Sequence, residues 1–225
     1  MARAVLFDTE TTGLDPLLGD RVIEIAALEL ENDLPTGRSF HRLVHPGRDI
    51  PDEATRVHGI TIDKLQDAPK FEVVAADMLA FFGDGPLIAH NAPFDFGFLN
   101  AELARVGRAK LDRGRMVDTL VLAKARFPGM PNSLDALCRR FVIDLSERTT
   151  HNALLDCRLL AEVYVELTGG RQRGLVLAED GQAEMVMAKY AAVGARTPRL
   201  MAVSAEEDAA HRAFLGKIKG AKWLQ

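Results

Sequence analysis

The sequence predicts an α/β domain, a mixed central sheet flanked by helices, with a C-terminal tail behind it. Three observations predict this. Short apolar runs suited to strands come early, stretches with helical spacing follow them, and a pair of glycines at Gly169 and Gly170 marks where that rhythm stops. The 225 residues, 48% hydrophobic and 27% charged, suffice for one good core and an appendage. The expected division is a domain over 1–170 and a linker and tail over 171–225.

The elements follow in order. Ala4 to Asp8 is an apolar run ending in an acid, and Val22 to Leu30 alternates around Glu24, so both read as strands, with TTGLDPLLGD as the turn between them. Ser39 to Val44 predicts a third strand, and Pro46 to Pro51 breaks the pattern before VHGI. Phe71, Val74, Ala75, Met78, Leu79 and Phe82 predict a helix over Phe71 to Phe82, leading through GDGP to a strand at Leu87 to His90. Pro93 in a first turn opens a helix to about Val106, with Phe94, Phe98 and Leu99 on one face and Asn91 as its natural N-cap. Further helices are predicted at Thr119 to Arg126, Ser133 to Phe141 and Leu154 to Leu167, the last with an apolar stripe of Leu155, Leu159, Leu160, Val163 and Leu167. The glycine pair should cap it and open a hinge. The tail is too short for a strong second core and reads as a segment that folds on a partner.

Composition excludes several classes. The net charge of −4 argues against coating long stretches of nucleic acid, though not against gripping a strand end. It is unevenly spread: 1–170 holds 19 basic and 26 acidic side chains, 171–225 holds 9 and 6. Cys138 and Cys157 lack metal-site spacing and read as reduced core residues. There is no apolar run long enough to span a membrane, and MARAVLFDTE reaches an acid too early for a secretory signal, so the expected location is the cytoplasm. Neither a nucleophile elbow nor a P-loop is present.

Four acids and a histidine in three blocks carry the chemistry: FDTETTG, HNAPFD and HNALLD. On an extended strand Asp8 and Glu10 share a face. So close a pair repels unless protonated or bound to cations, and a divalent pair uses such clusters for phosphoryl displacement; the alternative is a solvated pair that ends a strand. Asp95 falls in a helix's first turn, where it either reaches toward the sheet edge or simply favours the helix N-terminus. His151 and Asp156 are five apart, about 140° around a helix. They can converge only if His151 lies in the loop before the helix, where it suits a general base or has no role. Asp118 fits an N-cap better than a fourth ligand, Asp135 reads as a first-turn charge, and His41 and His45 decorate a strand.

In this order, DTETTG, HNAPFD and H-x4-D resemble the three motifs of the DEDDh 3′→5′ exonucleases. The resemblance runs on through VHGI, FPGMPNSLDALCRRF and RTTHNALLDCRLLAEVYVELTGG, and is closest to the proofreading branch that serves bacterial replicative polymerases. It implies an RNase H-like exonuclease fold and hydrolysis of the 3′-terminal nucleotide of single-stranded or frayed DNA, using two Mg²⁺ or Mn²⁺ ions. Asp8, Glu10 and Asp156 would be direct ligands, Asp95 would support the second ion partly through water, and His151 would be the base. Glu53, His58 and the backbone at Thr9 would hold the terminal nucleotide. Leu14 would wedge against the last base or merely plug its turn; Asn91 and Phe94 would line the strand path, or serve capping and core packing. The resemblance also implies a polymerase alpha subunit bound through 171–225 and admits a small theta-like subunit. Gln172 to Leu177 is similar to a sliding-clamp peptide, but ends in Leu177 where an aromatic would be stronger, and reads equally as a linker. The competing expectations are a general single-strand exonuclease or exoribonuclease of the same fold, and a polymerase accessory whose site is vestigial.

Overall fold

The computed structural model describes residues 3–146, 148, 150–169 and 203–217. A five-stranded mixed sheet has the order β3-β2-β1-β4-β5. β1 (Arg3–Thr11), β2 (Val22–Glu31) and β3 (Leu34–Leu43) form an antiparallel meander, while β4 (Leu87–Ala89) and β5 (Met116–Asp118) run parallel to β1. The helices are α1 (Asp52–His58), α2 (Phe71–Phe82), α3 (Ala92–Arg105), α4 (Thr119–Arg126), α5 (Leu134–Phe141) and α6 (Ala153–Leu167).

The alternation of β1 sorts its side chains into two layers. Val5 and Phe7 face α2 and α3, where Phe7 meets Phe82 and Phe96 at ring separations of 5.1 and 5.8 Å. Ala4 and Leu6 face the opposite layer, where Leu137 of α5 and Cys157 and Leu160 of α6 pack against Ala26 and Leu28 of β2. A sheet buried on both faces explains why β1 and β2 are nearly continuous apolar runs. Both cysteines are free and buried in that second layer.

Several expectations need correction. β3 begins at Leu34, five residues before the expected Ser39, because Asn32 and Asp33 both adopt positive φ (52° and 67°) and close a tight hairpin. α1 and β5 have no counterpart in the sequence reading. Seven and three residues long, they are too short for a period to emerge. Gly59, at φ 70°, stops α1, a conformation that a Cβ would strain. Asn91 stands at the N-cap position of α3, but at φ 63° its side chain caps nothing.

The chain divides into two units, Met1–Gly174 and Leu175–Gln225. Within the described part of the second, α7 (Ala205–Leu215) is a helix that the sequence reading did not anticipate. Ser204 and Glu207 close a capping box at its start, a signal visible as S-x-x-E. The expected clamp peptide at 172–177 lies outside the described residues.

Candidate active site

Asp8 and Glu10 continue the Ala4–Leu6 face of β1, so they point toward the N-terminal end of α6. Their cross-strand partners on β2 are Ala26 and Glu24. Asn152 caps α6 by accepting from Leu155 N–H at 3.0 Å, which places the buried Asp156 in the first helical turn. His151 therefore lies in the preceding loop, its N–H donating to Val57 O at 3.1 Å. Its Nδ1 stands 3.2 Å from Asp156 Oδ2. Glu10, His151 and Asp156 offer ligand atoms that all lie within 4.8 Å of one another. The five-residue spacing that forbade a shared helical face is resolved by that loop position.

Asp95 arrives from the other layer. In the first turn of α3, its Oδ1 accepts from Thr9 N–H at 3.1 Å and from Thr9 Oγ1–H at 2.7 Å. Carboxyls thus flank one end of β1 on both faces: its own Asp8 and Glu10 toward α6, and Asp95 clasping Thr9 from α3.

Crowding and burial shape the ionisation. Burial raises Asp8 well above the usual carboxylate range, and the neighbouring Asp95, Glu10 and Asp156 add to it. Burial pushes Glu10 up to about 8 although His151 opposes it. Burial also carries Asp95 to about 7 against the two bonds from Thr9. Asp156 behaves differently: burial disfavours its charge, yet hydrogen bonds from Arg148 and His151 hold it below the usual range. The bond to Asp156 in turn raises His151. Three carboxyls that resist ionisation beside one that is already ionised form a hard-oxygen donor set that a divalent cation would relieve, and the residues fit such an ion.

Thr9, Glu10, Leu14, Glu53, His58 and Phe94 line one cleft of about 550 Å³. Leu14, 84% exposed, stands at its rim. His58 Nδ1 accepts from Ile60 N–H at 3.0 Å, and its Nε2 is the buried side-chain polar atom left without a hydrogen bond among the described residues. Phe94 also stacks on Phe98 at 4.9 Å, so packing and cleft lining coexist. A second cleft of about 310 Å³ holds Asp8, Asp135, Arg148, His151 and Asp156. Asn91 lines neither cleft; it is exposed, and its N–H donates to Asp118 Oδ1 at 2.9 Å. Asp118 accepts from Leu120 N–H as well, the capping role that its position predicts.

Sequence reasoning missed Arg148 and Glu24 and understated Asp135 and His41. Arg148 grips Asp156 through two hydrogen bonds, 2.6 Å from Nε to Oδ1 and 2.7 Å from Nη2 to Oδ2, and also pairs with Asp135. A loop arginine has no periodicity to reveal it; its charge three residues before His151 was the available signal. Asp135 is accordingly more than a helix-dipole charge. Glu24, 1% exposed, accepts from Ala153 N–H at 3.2 Å and contacts His41 Nε2 at 2.6 Å. His41 is thus part of the support beneath α6, and an acid inside the apolar run VIEIAALEL was the visible sign.

A family model described as an exonuclease (RNase_T) matches residues 5–164. The chain belongs to this exonuclease family, and it is a nuclease, a hydrolase. Its relatives include the DNA polymerase III subunit epsilon of Rickettsia felis, 51% identical over 180 residues and covering 79% of each chain. That of Escherichia coli K12 is 38% identical over 230 residues, covering 97% of this chain and 94% of the relative. Within the family, its kinship is with these epsilon subunits. Among solved structures, Exonuclease X in complex with 5′ overhanging duplex DNA is 27% identical at TM-score 0.57, covering 75% of this chain and 91% of that one. E. coli Exonuclease I in complex with a dT13 oligonucleotide shares the fold at TM-score 0.66 and 18% identity, covering 75% and 41%.

Proposed function

We propose that this chain is a proofreading 3′→5′ exodeoxyribonuclease of a bacterial replicative polymerase. It would release nucleoside 5′-monophosphates from single-stranded or frayed 3′ ends. The observation that carries this reading is the convergence of Glu10, His151 and Asp156 within 4.8 Å, from two segments more than a hundred residues apart, beside Asp8. Relatives named as polymerase III subunits support the replicative setting, and the DNA in the Exonuclease X complex supports the substrate.

Asp8, Glu10 and Asp156 would hold two Mg²⁺ or Mn²⁺ ions, with Asp95 supporting from behind Thr9. When bound, such ions supply charge neutralisation for the phosphate and the leaving 3′-oxygen. His151, half exposed, presents Nδ1 to Asp156, which leaves Nε2 to take the proton of the attacking water. Water oxygen bonds to phosphorus, the bond to the penultimate 3′-oxygen breaks, and that oxygen ends protonated. Glu53, His58, Thr9, Leu14 and Phe94 would cradle the last nucleotide in the larger cleft, while Asn91 has no place in that cradle. A mismatched end frays more readily, so less unpairing opposes its entry, and discrimination follows.

The same reading assigns the polymerase alpha subunit to 171–225, a sliding clamp to 172–177, a small theta-like subunit as a further partner, and the cytoplasm as the location. The alignment with the E. coli relative extends into the tail and supports the first. No described helix is long and apolar enough to cross a membrane. The decisive experiment digests 3′-matched and 3′-mismatched DNA, and RNA, with and without Mg²⁺, comparing wild type with Asp8→Ala. Faster release from mismatched DNA, abolished by the substitution or by chelation, supports the reading; equal metal-free release would reject it.

A further inference from the structure

The Arg148 guanidinium lies inside the acidic cleft itself. Its side chain is 9% exposed, and it engages both oxygens of Asp156 in a parallel fork. Nη1 reaches Asp135 on α5, and Nη2 lies 3.0 Å from His151 Nδ1. Of the four carboxyls in the site, Asp156 is the one held by a strong cationic partner, and its ligand oxygen lies within 4.8 Å of ligand atoms of Glu10 and His151. Two cations cannot both have the full charge of one carboxylate.

We propose that Arg148 is an internal counter-ion that competes with the divalent cation for Asp156, and that Asp135 is the anchor toward which the guanidinium retracts when the metal enters. The inference rests on the metal-site reading above and deepens it. In the metal-free protein Arg148 neutralises Asp156, to which His151 Nδ1 also points, and so keeps the loop and α6 in register without an ion. On metal entry the fork to Asp156 loosens while the contact with Asp135, whose side chain is 40% exposed, remains. Arg148 is thereby a positioning residue, acting through Asp156 and His151.

The test is Mn²⁺ binding to the full chain at one pH and ionic strength, read by titration calorimetry, with circular dichroism to confirm folding. Arg148→Gln should bind Mn²⁺ about tenfold tighter than wild type, the order expected when a charge-assisted competitor is removed. Arg148→Lys, which keeps the charge and loses the fork, should fall between. Asp135→Asn should bind several-fold more weakly, because Arg148 then rests on Asp156 alone. In the Arg148→Gln background the Asp135 substitution should lose most of that effect. Unchanged or weaker binding by folded Arg148→Gln would overturn the proposal, as would an Asp135 effect of equal size in both backgrounds. Asp135→Asn provides the test on its own if Arg148→Gln does not fold, and unchanged or tighter binding by it would also overturn the proposal. Absence of Mn²⁺ binding by wild type would reject the underlying metal-site reading instead.

Discussion

Replacing Glu10 by Gln should stabilise the metal-free protein while disabling it. Glu10 is 8% exposed, and burial moves its carboxyl from an ordinary 4.5 to about 8. Because the folded-state value exceeds the unfolded one, the unfolded chain releases this proton first as pH rises. Stability is then lost progressively between about pH 4.5 and pH 8. At pH 7 the accumulated cost is on the order of 3 kcal/mol. Gln, similar in size and uncharged, removes that term. Melting in EDTA at pH 7 should therefore rise by roughly 6–12 °C in Glu10→Gln, with the two proteins converging near pH 4.5. Saturating Mg²⁺ should narrow or reverse the gap, because only wild type gains full metal-linked stability. A Gln variant less stable than wild type in EDTA, or a difference that does not vary with pH, would refute this reasoning.

Other substitutions test the remaining parts. His151→Gln should lower the rate by about 10²–10⁴-fold with the fold intact, in a single-turnover digestion. A base must be unprotonated, so the wild-type kcat/KM profile should show an acid limb that vanishes in the variant. Thr9→Val removes the 2.7 Å hydroxyl bond to Asp95 and should cost about 1.5–3 kcal/mol in urea denaturation above pH 8, where Asp95 is ionised, and less near pH 5. Glu24→Ala orphans Ala153 N–H and should destabilise by about 1–3 kcal/mol, with Glu24→Gln restoring much of the loss; equal stability of Ala and Gln variants would show that the α6 support lies elsewhere.

Much of the fold was legible because its long elements carry clean periods. Phe71–Phe82 and Thr119–Arg126 begin and end where their spacing places them, since proline, glycine and capping residues bound them. The convergence of Asp8, Glu10, His151 and Asp156 was legible in part: period two puts one pair on a single face, and the five-residue gap lets the other meet only across a helix start. What sequence did not show depends on long-range contact. Arg148 reaches Asp156 and Asp135 from an irregular loop, Glu24 works through residues more than a hundred positions away, and Asn91 adopts a left-handed conformation that its capping chemistry does not foretell. The short β5 depends on β4 beside it, and no local pattern encodes that pairing.

Whether the clustered oxygens hold metal decides whether this cleft can act as a nuclease site. Anomalous diffraction from crystals soaked in Mn²⁺ addresses this directly. We expect peaks about 2.1–2.3 Å from carboxylate oxygens of Asp8, Glu10 and Asp156, with Arg148 turned toward Asp135. A saturated soak that leaves this cleft without a peak, or places the metal away from these three side chains, would contradict the assignment.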